Sequence, residues 1–206
     1  MDRKLTYFHL NGYAESIRYM LHYAGLEFQD IRLERASWPI KEIKDALPYG
    51  RLPVYEEGDR KLTQSLAIAR YIASQTDLLP TDPWEQAVLD AAVLNVYELI
   101  PKLAAFITAN GPEKKHQAKE EFLTGARDYY LSRFEEELKA NNGFFGGKLT
   151  WADFVLTGII ECANLFLEAE IEKEYPTIDT LVKHIRSLSG VKEYIAARKP
   201  YFNYSL

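Results

Sequence analysis

Strand-like patterning runs through the chain as far as residue 78 and then stops; the remainder reads as helix. That break constrains the fold more than any other feature, because an α/β unit joined to an all-helical unit is one of few layer combinations. The run "KLTYFHL" is short, β-branched and aromatic, as a strand would be. "ESIRYMLHYAG" puts Ile17, Met20, Leu21 and Ala24 on one helical face, with Gly25 as a C-terminal stop. "FQDIRLE" alternates loosely, like a partly buried strand, and "SWPIKEIKDAL" is a short proline-opened helical or irregular stretch. "PVYEE" and "KLT" flank Gly58-Asp59, a hairpin signal because both residues tolerate the positive φ of tight turns. Leu66, Ile68, Ala69 and Ile72 then recur at helical spacing. The predicted order is β-α-β-α-β-β-α around a mixed sheet.

"DLLPTDPWEQ" holds two prolines and few periodic apolar residues. It predicts a linker at 79–83 between an α/β unit at 1–78 and an all-α unit at 84–206. Residues 84–109 are expected to form one long helix, with Val88, Ala91, Ala92, Leu99, Leu103 and Phe106 toward a core and a kink at Pro101. A charged amphipathic helix is expected at 113–140 and a loop at "NNGFFGGKL". "TWAD" opens the most apolar helix, with Thr150 and Asp153 spaced as a capping box. Two shorter helices come next, split near Ser189-Gly190. The longest apolar run, "FVLTGIIECANLFLEAE", is interrupted by Glu161 and Asn164, so no membrane span is expected. The opening "MDRKLTYFHLNGYAES" carries no apolar signal region, which points to a cytoplasmic protein.

The formal net charge of −5 argues against a nucleic-acid surface. A single cysteine, Cys162, allows no internal disulfide, fits a reducing cytosol and excludes a CxxC redox pair. It lies inside the apolar helix and reads as a small buried hydrophobe. The four histidines show no metal-ligand spacing, and GxSxG and glycine-rich phosphate loops are missing from the sequence. No metal is expected. Gln64 and Ser65 sit where strand gives way to helix, and two readings stand side by side. Ser65 is either an N-cap, which stabilises by about 1 kcal/mol, or part of an anion site at the helix N-terminus.

The segments "LTYFHLNGYAESIRYMLHYAG", "WPIKEIKDALPYGRLPV", "KLTQSLAIARYIA" and "NNGFFGGKLTWADF" closely resemble cytosolic glutathione transferases of the sigma class, over essentially the whole chain. The resemblance implies a thioredoxin-like N-terminal domain, an all-α C-terminal domain, a homodimer, and glutathione as co-substrate. It implies that Gln64 and Ser65 bind the γ-glutamyl carboxylate, with Glu98 of a partner subunit taking the ammonium. It makes Pro53 cis, with Leu52 presenting its backbone to the cysteinyl part, an arrangement like strand addition. Trp38, Lys44 and Arg51 match positions at the glycyl end; Lys41 is an alternative to Lys44 because the segment is longer here than in some relatives.

The resemblance also implies that Tyr7 carries the chemistry. A thiol with a pKa near ~8.5 is mostly protonated at neutral pH, and a phenol donating a hydrogen bond to sulfur favours the thiolate nucleophile. Many relatives have an arginine where this chain has Tyr13, which argues against a high turnover. Phe8, Leu10 and Tyr13 are expected on one wall of an electrophile cleft, Ile100, Ala104 and Ile159 on the other, with "KPYFNYSL" closing over it. Tyr49 either anchors in a second subunit or folds back on its own domain. The expected activity is addition of glutathione to small hydrophobic electrophiles. The alternatives are glutathione-dependent prostaglandin isomerisation or peroxide reduction, and a non-catalytic, crystallin-like structural role.

Overall fold

A computed structural model describes residues 2–47 and 49–201. The first half contains β1 (Arg3–Phe8), α1 (Glu15–Tyr23), β2 (Gln29–Leu33), α2 (Lys41–Asp45), β3 (Val54–Glu57), β4 (Arg60–Thr63) and α3 (Ser65–Ala73). The sheet order is β2-β1-β3-β4, with β1 parallel to β2 and antiparallel to β3, and β3 antiparallel to β4. This is the mixed α/β arrangement expected from the sequence. The hairpin turns at Gly58, whose φ of 58° supplies the positive dihedral that the tight connection needs. Helix α1 buries Ile17, Met20 and Leu21 and stops at Gly25.

The second half is helical: α4 (Pro83–Tyr97), α5 (Leu99–Thr108), α6 (Pro112–Glu121), a π-helical stretch at Phe122–Arg127, α7 (Asp128–Ala140), α8 (Trp151–Leu167), α9 (Pro176–Ser187) and α10 (Val191–Ala197). Helix α8 is the central strut, with Trp151, Phe154, Leu156 and Ile160 fully or nearly fully buried. Its start is the predicted capping box: Asp153 accepts from the Thr150 N–H at 2.7 Å, the Thr150 hydroxyl at 2.9 Å and the Phe145 N–H at 3.0 Å. Gly158 lets α8 close on α1, because a Cβ there would stand 3.1 Å from the Ser16 nitrogen. Arg70 on α3 reaches Asp90 and Gln86 on α4 at 2.8 and 2.9 Å, a second tie between the halves.

Three helical expectations need correction. Residues 84–109 form two helices that meet at Glu98. Pro101 has no N–H to give the Tyr97 carbonyl, so the ladder fails one turn before the proline. Val88 and Ala91 face outward with Trp84 and Leu94, while Leu89, Ala92, Val93 and Val96 face the core; α4 is apolar on both sides, so its pattern could not say which side is buried. The helix at 113–140 is interrupted by the π-helical stretch. Phe122 and Leu131 are both buried although a regular α-helix would set residues nine apart on opposite faces, and the wider turn takes up that offset. The expectation that nothing is long enough for a bilayer also fails by length and composition. Pro83–Thr108 is a 26-residue helical run apolar enough to cross one, although here Leu89, Val93, Val96, Leu99 and Leu103 pack into the core.

Candidate functional site

The C-terminal end of β1 delivers Tyr7 into a cleft between the sheet and the helices. Asn11 comes next, its side chain accepting from the Gly12 N–H at 2.7 Å and donating to the Glu161 carbonyl at 3.0 Å, so the turn after β1 is pinned to α8. Gly12 has φ 42°, and a Cβ there would lie 2.7 Å from the Tyr7 hydroxyl; only glycine lets the turn wrap this closely over the phenol. The Tyr7 oxygen accepts the Tyr13 N–H at 3.3 Å, and among the described residues nothing accepts the phenol's own proton. Burial raises the Tyr7 pKa well above the ordinary tyrosine value, against the opposing Tyr13 hydrogen bond, so the group stays a neutral donor.

In front of Tyr7 lies an apolar cavity of about 300 Å³. Phe8, Leu10 and Tyr13 line its sheet side, and Ile100, Ala104 and Ile159 its helical side. The structure therefore brings together all six residues named for the two walls. Sequence reasoning missed Gly12, Leu103, Phe166 and Cys162, which share the cavity. Cys162 is buried as expected, but it also faces this space instead of serving as a plain core residue. Burial pushes its thiol up to about 12, which keeps it protonated and a poor nucleophile.

A second, more polar pocket of about 270 Å³ adjoins at Tyr13. Arg51, Leu52, Pro53, Gln64 and Ser65 all line it. The Leu52–Pro53 bond is cis, as expected, and among the described residues no hydrogen bond uses the Leu52 N–H or C=O. The N-cap reading of Ser65 is wrong. Ser65 is the first residue inside α3, Gln64 occupies the cap position at φ 71°, and no side chain caps the helix. Among the described residues the first α3 amide to find a backbone acceptor is Ile68, so the amides of Ser65, Leu66 and Ala67 remain for a ligand. The Ser65 hydroxyl instead lies 2.8 Å from the Tyr97 hydroxyl, either of which can donate.

Other expected residues fall elsewhere. Trp38 stands edge-on to Phe8, with ring centroids 5.6 Å apart, beside the apolar cavity rather than in the polar pocket. Lys44 lies against Gly50 and Lys41 pairs with Asp45; both are exposed and neither lines either pocket, because α2 turns those side chains to solvent. Glu98 is exposed at the α4–α5 break and lines neither of these two pockets. Of the tail, Tyr201 turns away from the cavity to bond Glu15 at 2.6 Å, and 202–206 lie outside the described residues. Among the described residues no cluster of three His, Cys, Asp or Glu side chains is placed to hold a metal ion.

A buried polar cluster, with Arg18 6.0 Å from the Tyr7 ring centroid, holds the backbone that follows Tyr7. Arg18 is fully buried; it donates to the Leu10 carbonyl at 2.8 Å and the Phe8 carbonyl at 3.3 Å, and pairs with Glu15 and Asp30 at 3.1 Å each. Glu15 also receives Tyr194 at 3.2 Å, Tyr201 and Arg198. No single sequence signal marks this cluster, since its members span residues 15 to 201.

Comparison with known proteins agrees with this geometry. The family model for the glutathione S-transferase N-terminal domain matches residues 3–74, and that for the C-terminal domain matches residues 97–198. The chain is 32% identical over 200 residues to a glutathione S-transferase of Anopheles gambiae, covering 96% of this chain and 97% of that protein. A solved prostaglandin synthase D of Nilaparvata lugens superposes with a TM-score of 0.90 at 30% identity, covering 97% of this chain and all of that one. A monomeric glutathione S-transferase of the hookworm Necator americanus superposes with a TM-score of 0.84 at 33% identity, covering 97% and 98%. A thioredoxin-like sheet unit carrying the polar pocket, a helical unit carrying the far wall, and matches in both halves lead to one conclusion: the chain belongs to the glutathione S-transferase family.

Proposed function

We propose that the chain is a sigma-class transferase in which neutral Tyr7 donates its hydroxyl proton to the glutathione sulfur and so holds it as thiolate. The observation that carries this is the Tyr7 oxygen, whose acceptor side is occupied by the Tyr13 N–H while its proton has no partner among the described residues, at the edge of an apolar cavity. Family membership supplies glutathione as co-substrate and transfer to electrophiles as the activity. In the proposed pose the γ-glutamyl carboxylate meets Ser65, Gln64 and the α3 amides, and the cysteinyl part pairs with the Leu52 backbone. The glycyl carboxylate faces Arg51, with Trp38 and one of Lys41 and Lys44 closing in from the exposed side. That pose points the sulfur at Tyr7 and leaves the neighbouring cavity for a small hydrophobic electrophile between Phe8, Leu10, Tyr13, Ile100, Ala104 and Ile159. No metal takes part.

A homodimer belongs to the same reading. Trp84, Leu94 and Val88 are 78%, 60% and 44% exposed along one face of α4, and Tyr49 is 74% exposed; a second copy would cover them and bring its Glu98 toward the ammonium. The division at 79–83 and a cytoplasmic role in removing electrophiles complete the proposal. A second reading is prostaglandin isomerisation. The apolar cavity and the fit to the Nilaparvata lugens enzyme favour it, and it would use the same thiolate. The structural-protein reading is disfavoured by the open, polar-lined pocket at Ser65.

The test is a panel of an aryl halide, a lipid aldehyde, cumene hydroperoxide and prostaglandin H, each with glutathione, after retention on a glutathione column. Conjugation of the first two with retention is expected. Turnover of prostaglandin H alone would select the isomerase, and no retention with no turnover would reject both enzymes.

A further inference from the structure

The α4–α5 break that Pro101 forces leaves two adjacent residues pointing opposite ways. Glu98 faces out, whereas Tyr97 turns in and lines the polar pocket beside Ser65. Its hydroxyl sits 2.8 Å from the Ser65 hydroxyl, across the junction of the sheet unit and the helical unit. Its ring meets Tyr13 with centroids 6.0 Å apart, and Tyr13 in turn gives its N–H to Tyr7.

Proton accounting decides what this contact does when an anion arrives. A serine hydroxyl has one proton and two lone pairs, and a tyrosine hydroxyl likewise has one proton to give. A carboxylate can only accept. If Ser65 gives its one proton to the carboxylate, the 2.8 Å contact survives only with Tyr97 as donor and Ser65 as acceptor. We propose that Tyr97 is a positioning residue for the γ-glutamyl carboxylate of glutathione: it donates its proton to Ser65 Oγ, which fixes the rotor and commits the Ser65 proton to the ligand. Hydrogen bonds in such a chain polarise one another, so Ser65 becomes a stronger donor as well as an oriented one. Burial raises the Tyr97 pKa well above the ordinary tyrosine value, with the Ser65 contact opposing, so its proton stays available through the physiological range. The inference rests on the proposed glutathione site and deepens it: the anion site takes a group from each half of the chain, and Tyr97 acts on the carboxylate through Ser65.

The test uses the full chain and four proteins: parent, Ser65→Ala, Tyr97→Phe and the double variant, with glutathione affinity measured by calorimetry and turnover with an aryl halide. Tyr97→Phe is expected to raise the glutathione Kd and KM on the order of 5- to 20-fold, the range for one hydrogen bond beside a charge. At saturating glutathione its kcat should stay within about twofold and its pH profile should not move, since Tyr7 is untouched. The double variant should bind no more weakly than Ser65→Ala, because the tyrosine acts through the serine. The γ-aminobutyryl analogue of glutathione, which lacks the α-carboxylate, should bind parent and Tyr97→Phe equally. A Tyr97→Phe protein that binds glutathione as tightly as the parent, or more tightly, overturns the proposal. So do single effects that multiply in the double variant. A parent that fails to bind glutathione overturns this and the proposed function together, whereas a parent that binds with an indifferent Tyr97→Phe overturns this alone.

Discussion

Two polar clusters meet near the end of β1, with Arg18 6.0 Å from the Tyr7 ring centroid, and they differ in how much of their hydrogen-bonding capacity is used. In the first, the Glu15 carboxylate takes Arg18, Tyr194, Tyr201 and Arg198, and Arg18 spends its donors on two carbonyls and two carboxylates. In the second, Tyr7 holds one bond at 3.3 Å as acceptor, Ser65 shares one contact with Tyr97, and the first α3 amides have no backbone acceptor among the described residues. Buried polar groups are normally satisfied, so a saturated cluster is scaffold and a cluster with capacity left is where a ligand belongs. The difference separates two sets of residues that burial alone does not: Glu15 and Tyr7 are both buried, and of the two only Tyr7 keeps a proton with no acceptor among the described residues.

The largest effect should come from breaking the saturated side. Glu15→Ala leaves Arg18 and Arg198 without their shared carboxylate, and removing one partner of a buried pair costs about 3–5 kcal/mol. Denaturant unfolding should show that loss, with residual activity per folded molecule lowered because the Phe8 and Leu10 carbonyls lose a fixed donor. A loss under about 1 kcal/mol, the size of an exposed ion pair, would mean that the cluster is not scaffold.

The next effect belongs to the open side and should leave stability alone. Tyr7→Phe removes one O–H and one weak contact. The pH profile of kcat/KM should move alkaline by up to about two units, equivalent to about 2.7 kcal/mol, with glutathione affinity unchanged. The sign is set by the donor: without it the thiol needs a higher pH to ionise. Equal rates for mutant and parent at pH 6.5 would remove Tyr7 from the mechanism.

The contrast also explains what the sequence could and could not reveal. The α/β-then-α order, the Gly58 hairpin, the Gly25 stop and the Thr150/Asp153 box are local signals, and each is where the sequence puts it. Tyr7 is one of 14 tyrosines and is picked out by a motif, not by periodicity. The two-sided apolar pattern of α4 hid its outward face, and the wide turn at Phe122–Arg127 hid a change of register. Tyr97 escaped because its proposed role depends on a contact 32 residues away, at the end of a helix that the pattern draws as continuous. Lys41 and Lys44 are named by charge and segment, and α2 leaves both side chains exposed outside the two pockets.

A third, smaller effect separates binding from capping at the same residue. Ser65→Ala should weaken glutathione binding by about 2 kcal/mol, the value for a hydrogen bond to a charged group. It should cost little stability, because Ser65 is inside α3 and makes no cap bond. A melting point that falls while affinity holds would reverse the assignment and return Ser65 to the scaffold.

The smallest effect tests whether the open side is also the strained side. Gln64 holds φ 71° and ψ 112°, a conformation that costs a non-glycine residue about 1–3 kcal/mol and persists where the surroundings enforce it. Gln64 lines the polar pocket, so the strain sits where the proposed glutathione site lies, while no residue of the Glu15–Arg18 cluster has positive φ. Gln64→Gly relieves the strain but frees the unfolded chain, which offsets about 0.4–1 kcal/mol. The net expectation is a protein more stable by about 1 kcal/mol in denaturant unfolding, yet weaker for glutathione through loss of the Gln64 side chain. Stability and affinity moving in opposite directions would place the strain in the site. A Gln64→Gly protein that is less stable than the parent would show that the turn is relaxed, and that the two clusters differ in hydrogen bonding alone.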